Sequence, residues 1–154
     1  MSKKILPVVL VLSWVALIFS FSAQDATTSS DLSGGLVNGL IGFIEVFEPD
    51  FSQRFDVSRL HGFIRSAAHF SLYFVLGFYA ANAVRTYFTD WFRVWIDAAL
   101  FGLVIGVFDE MYQYTVPGRA MSMGDILIDF AGAICGAGAF VLLVYKLMKP
   151  VTMG

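Results

Sequence analysis

Four long apolar runs punctuate the chain, at residues 5–22, 66–84, 94–114 and 126–145. Each approaches the roughly 20 residues that a helix needs to cross a bilayer. The second run is interrupted by His69 and Asn82, the third by Asp97, Asp109, Glu110 and Gln113, and the fourth by Asp129. The first follows Lys3 and Lys4 and ends in Ser20-Phe21-Ser22, so a cleaved signal peptide is its alternative reading. Its apolar core is longer than the roughly 7–15 residues of a signal peptide, which favours a retained span. Residues 25–65 form the longest polar segment. Within it Leu32, Leu36, Val37, Leu40, Ile41 and Ile44 recur at near-helical spacing, a weak amphipathic helix suited to a bilayer surface. Gly34, Gly35, Gly39 and Gly42 weaken that helix, and residues 45–59 read as an acidic, aromatic loop. The pattern predicts one all-α domain: a polytopic four-helix membrane bundle with a long outward-facing loop after its first helix.

Composition agrees. The chain is 58% hydrophobic and only 14% charged, too few charges for a soluble domain of this size. The net charge of −2 says little, because orientation follows the placement of Lys and Arg. Lys3, Lys4, Arg85, Arg93, Lys146 and Lys149 fall on one side of the four-span arrangement, and Arg54, Arg59, Arg65 and Arg119 on the other. Counted near span ends, this places both termini in the cytoplasm, with Trp91 and Trp95 at the inner interface. No nucleic-acid motif or basic block is present. The single cysteine, Cys135, excludes an intrachain disulfide. Gly132 and Gly136 make a GxxxG step, which predicts close packing inside the bundle rather than homodimerisation, with Cys135 as one more small packing residue. The oligomeric state stays open.

Spacing locates the polar interruptions in depth. Arg85 to His69, Arg93 to Asp109 and Lys146 to Asp129 each span roughly 24–25 Å of helix at about 1.5 Å per residue. Three spans therefore carry an ionisable group at one level. One turn farther out stand Arg65, Gln113, Asp125 and, from the first span, Gln24. Arg65, His69 and Tyr73 share a helix face, as do Asp109 with Gln113 and Asp125 with Asp129. Glu110 points about 100° away from Asp109. Charged groups inside a membrane are costly and mark functional sites. The predicted result is a polar pocket, open to the outside, between the helices. Asp97 lies apart and is expected to pair with Arg93 one turn earlier.

These residues could serve three chemistries. A divalent metal would take His69, Asp109, Glu110, Asp125 and Asp129, but their spacing matches no standard motif and two arginines would compete for the carboxylates. No metal or cofactor is therefore expected. A hydrolase would use His69 and Asp109 as acid–base pair, with Ser122 or water as nucleophile. No nucleophile elbow accompanies Ser122, and a serine there suits a helix cap. Recognition is the third: Arg65 and Arg119 are forks suited to phosphate or carboxylate, and outward-facing lipid phosphates are the obvious targets.

The sequence resembles the VanZ-like family. The likeness rests on Phe21-Ser22-Ala23-Gln24 and on the run from Arg65 to Tyr73 (Arg-Ser-Ala-Ala-His-Phe-Ser-Leu-Tyr). It rests also on Asp109-Glu110-Met111-Tyr112-Gln113 with Pro117-Gly118-Arg119, Ser122 and Asp125. The resemblance covers nearly the whole chain outside residues 25–60. It implies a small integral protein of the bacterial inner membrane, linked through its name member to low-level resistance to teicoplanin, a lipid-tailed glycopeptide. It transfers no reaction. Two positions depart from the pattern: Ala23 stands where a second serine is usual, and Asp129 where asparagine is common. The leading expectation is a membrane protein that binds an anionic envelope lipid or lipid-linked cell-wall precursor through Gln24, Arg65, His69, Tyr73, Asp109, Glu110, Gln113, Arg119, Ser122, Asp125 and Asp129, and so alters access of a lipoglycopeptide. An enzyme acting on a lipid head group and a structural subunit of a larger membrane complex are the alternatives.

Overall fold

In the computed structural model, residues 4–54 and 56–148 are described, apart from the side chains of residues 26–33, 51 and 148. Lys3, Lys149 and the side chain of Leu32, all used in the sequence reading, lie outside that set. The described residues form helices only: α1 (Ile5–Ser22), α2 (Ala26–Glu45), α3 (Phe51–Arg54), α4 (Val57–Arg85), α5 (Trp91–Gln113) and α6 (Met123–Met148). Four of them, α1, α4, α5 and α6, are long and apolar enough to cross a membrane.

The helices run past the apolar stretches that reveal them, because hydropathy marks only the lipid-embedded part of a helix. The α4 helix starts at Val57 rather than near residue 66. Asp56, in extended conformation, caps it by accepting from the Ser58 N–H at 3.1 Å, so the polar turns carrying Arg59, His61 and Arg65 are helical too. Asp90 caps α5 in the same way through the Phe92 N–H at 3.0 Å. Within the outer segment 25–65 the expected amphipathic helix is α2, and the stretch 45–59, expected as loop, also holds α3 and the start of α4. Val37 and Ile41 supply the buried face of α2, while Leu36, Leu40 and Phe43 stay exposed. The turn between α2 and α3 is closed by Ser52, whose hydroxyl donates to Glu45 Oε1 at 2.6 Å. That bond and the Ser52 N–H hold the Glu45 carboxyl below its ordinary range.

The core is the trio α4, α5 and α6. Gly132 and Gly136 of α6 lie against the backbone of Phe70 and Phe74 on α4, so close that an added Cβ would strike those carbonyl oxygens. Gly77 of α4 lies equally close to the Ala133 carbonyl, and Gly102 of α5 to the Ala133 side chain. Without a hydrophobic force between helices in lipid, this close packing is what joins them. The GxxxG step thus works inside the bundle. Cys135 does not: it is exposed. At about 100° per residue it falls on the face opposite Gly132, Ala133, Gly136 and Ala137.

The α1 helix leans on α4, where Trp14 Nε1 donates to the Leu72 carbonyl at 2.8 Å and Ile18 is buried. At one end of the bundle Ala80, Ala81, Val94, Ala98, Ala137 and Phe140 make a dry cluster. Cations ring that end: Lys4 lies over Tyr87, Arg85 over Trp91 and Arg93 over Phe88. Arg93 also reaches Asp97 at 3.3 Å, the pairing anticipated from their spacing.

Candidate functional site

At the opposite end the exposure pattern inverts. Phe108 is 56% exposed, while the adjoining Asp109 and Glu110 are 1% and 0% exposed. Only a surrounding apolar solvent makes that arrangement reasonable, since acids otherwise take the wet side.

Two cross-links join α4 to α6, one turn apart. Arg65 Nη2 meets Asp125 Oδ2 at 2.8 Å, and His69 Nδ1 lies 3.1 Å from Asp129 Oδ1. A third chain of contacts gathers α5, α1 and the turn between α5 and α6. Arg119 Nη1 donates to Gln113 Oε1 at 2.8 Å, and Gln113 Nε2 donates to Asp109 Oδ2 and Ser22 Oγ, each at 3.3 Å. Glu110 turns another way, as its 100° offset requires, and its Oε2 accepts the Ser122 N–H at 2.7 Å. Ser122 is a helix cap: its hydroxyl accepts the Asp125 N–H at 3.1 Å.

The position of Arg119 comes from a local turn. The Arg119 N–H bonds the Val116 carbonyl at 3.1 Å, with Pro117 and Gly118 between them and Gly118 at φ 76°. Pro at the second position and a positive φ at the third define a type II turn, which glycine tolerates best. This turn folds the guanidinium back over Gln113. Burial, and secondarily the neighbouring Arg65, hold the Arg119 guanidinium below its ordinary pKa. Among the described residues no carboxylate lies within ion-pair distance of it.

A cavity of about 1280 Å³ adjoins this network. Its polar wall includes Gln24, Arg65, His69, Asp109, Gln113, Arg119, Ser122 and Asp125. Its apolar wall includes Trp14, Ile18, Phe21, Leu36, Leu72 and Val75. Tyr73 also lines it, though almost wholly buried. Glu110 and Asp129 stand behind that lining.

The motif residues assembled here carry a family signature. The model of the VanZ/LLP1 family matches residues 7–145. The chain belongs to the VanZ/LLP1 family. No curated protein and no solved structure matches it. As a VanZ/LLP1 member with four apolar helices of spanning length, it is a multi-pass membrane protein.

All the site residues named from the VanZ/LLP1 sequence lie at this end of the bundle, but their pairings differ from a simple reading of depth. The hydrogen-bonded partner of His69 is Asp129, whereas Asp109, its candidate acid–base partner, is bonded to Gln113. Gln24 reaches the cavity wall without a side-chain hydrogen bond among the described residues. The residue of α1 that enters the network is Ser22, which is buried and was not among the expected site residues. Its signal was present: measured from Lys4, roughly 27 Å of helix places it near the level of Asp109.

Proposed function

We propose that this chain binds the anionic head group of an envelope lipid or lipid-linked cell-wall precursor, at a cleft facing the outside of a bacterial inner membrane. The observation that carries the reading is Arg119, a half-buried guanidinium in the cavity wall that is held by a neutral amide and pairs with no carboxylate among the described residues. Arg65, itself paired with Asp125, adds positive potential at Arg119 that an anion bound there would relieve. The apolar wall from α1 and α4 continues beside the two guanidinium groups, where an acyl or prenyl chain would lie. The basic ring around Lys4, Arg85 and Arg93 supports a cytoplasmic placement for the other end and for both termini. Occupying such lipids at the outer surface would change what a lipoglycopeptide such as teicoplanin meets there, the role that the VanZ resemblance suggests.

The test is lipid retention by the purified chain in nanodiscs containing phosphatidylglycerol, phosphatidylcholine or a polyprenyl diphosphate lipid, read by native mass spectrometry. Hydrogen bonds to charged groups contribute about 1.5–3 kcal/mol, so Arg119→Ala should weaken anionic-lipid retention by roughly 10- to 100-fold. An Arg119→Ala protein that keeps the parent's preference for anionic over zwitterionic lipid overturns the reading.

A further inference from the structure

From His69 in the cavity wall inward lies a group of side chains distinct from the Arg119 contact that carries the head-group reading. We infer that His69, Glu110 and Asp129 form a site for one divalent transition-metal ion of the Zn²⁺ or Mn²⁺ kind. Their ligand atoms, one nitrogen and two carboxylate oxygens from α4, α5 and α6, all lie within 4.8 Å of one another.

Burial and bonding point to a cation. Glu110 and Asp129 are both 0% exposed. Each keeps one carboxylate oxygen, Oε1 and Oδ2 respectively, without a hydrogen-bond partner. A carboxylate taken out of water needs a counter-charge or a full set of donors. The arginines do not supply one: Arg65 is engaged by Asp125, and Arg119 by Gln113. Among the described residues neither arginine forms an ion pair with a carboxylate of this triad. Two carboxylates face a single imidazole, and a divalent ion would balance them.

The dimensions suit such an ion. Zinc binds nitrogen and oxygen ligands at about 2.0–2.2 Å in a tetrahedron, so its ligand atoms sit roughly 3.3–3.6 Å apart. The His69 Nδ1 to Asp129 Oδ1 separation of 3.1 Å is close to that spacing. The pairs at up to 4.8 Å would close by about 1 Å around such an ion. An imidazole among the ligands favours zinc and its first-row neighbours, whereas calcium takes six to eight oxygens. The Ser122 N–H that holds Glu110 Oε2 fixes that side chain as an outer-sphere partner would. His69 reaches the cavity wall and gives an ion a way in. The spacing of these residues fits no linear motif because each comes from a different helix.

This inference stands whether or not a lipid occupies the cleft. The test uses the full chain in detergent, stripped with a chelator and titrated separately with Zn²⁺ and Mn²⁺, with bound metal counted by native mass spectrometry. One ion per chain is expected. Glu110→Gln and Asp129→Asn should lower affinity at least tenfold while helicity by circular dichroism is retained, and Asp97→Asn at the far end should match the parent. Failure of the parent to bind either ion, or equal binding by the parent and triad variants (an adventitious ion only), overturns the assignment. X-ray absorption of the zinc-loaded parent needs no variant. A first shell containing imidazole nitrogen and carboxylate oxygen supports the site, and an all-water shell overturns it.

Discussion

The two ends of the α4–α5–α6 trio solve different problems with the same three helices. Around Ala80, Val94, Ala137 and Phe140 the bundle is filled by apolar side chains. One to two turns along, glycine brings the backbones of α4 and α6 into direct contact. Beyond that, at His69, Asp109, Glu110, Gln113 and Asp129, long polar side chains fill the same interhelical space. Gly106 marks the change on α5. It faces the Asp129 Cβ and the Tyr73 ring, which an added Cβ would meet at 3.4 Å and 3.6 Å, ordinary contact distances. Close packing secures the first region, whereas the second contains buried acids that weaken a bundle unless a partner compensates them. A membrane helix trio can thus concentrate its stability in one half and its chemistry in the other.

The largest expected effect tests the packed half. Gly136→Val places a branched side chain against the Phe74 carbonyl and should destabilise the protein by about 3 kcal/mol. Thermal unfolding in detergent, followed by circular dichroism, checks it. An unchanged midpoint would mean that α4 and α6 do not approach at that glycine. In the polar half the division predicts the reverse signature, loss of binding with the melting curve retained. Arg119→Lys keeps the charge but not the planar fork, so its retention of anionic lipid should fall between the parent and Arg119→Ala. A lysine variant as weak as alanine would show that geometry, not charge, carries recognition.

Gly118→Ala is expected to do less. Its φ of 76° becomes costly by about 1 kcal/mol once a Cβ is present, and Arg119 should be held less well. A roughly fivefold loss of anionic-lipid retention in nanodiscs is anticipated, from about 1 kcal/mol. The smallest effect belongs to Arg93→Ala. Its pair with Asp97 is largely exposed, and such pairs contribute about 0–1 kcal/mol. Chemical unfolding should show a change within that range, with lipid retention untouched.

Much of this division could be read along the chain. His69, Asp109 and Asp129 stand at matched distances from Arg85, Arg93 and Lys146, and helical rise alone puts them at one level. Asp125 over Asp129 and Arg65 over His69 follow from spacing of one turn, and both rungs occur. Cys135 shows the limit. Its small size suggested packing, but size does not say which side of α6 it occupies, and it faces outward. The first turns of α4 escaped notice for another reason. Arg59 and His61 are too polar to register as a span, yet the Asp56 cap makes them helical.

The amino-acid sequence determined the number of spans, their depth markers and the family. Apolar run length and the need to satisfy every backbone group within lipid leave few other outcomes. Tertiary structure decided which side chains meet. Asp129 rather than Asp109 bonds His69, Ser22 joins Gln113, and Glu110 converges with His69 and Asp129. Position along a helix follows from a fixed rise per residue, but rotation about its axis is set by neighbouring helices, here by the glycines that bring α4 and α6 together.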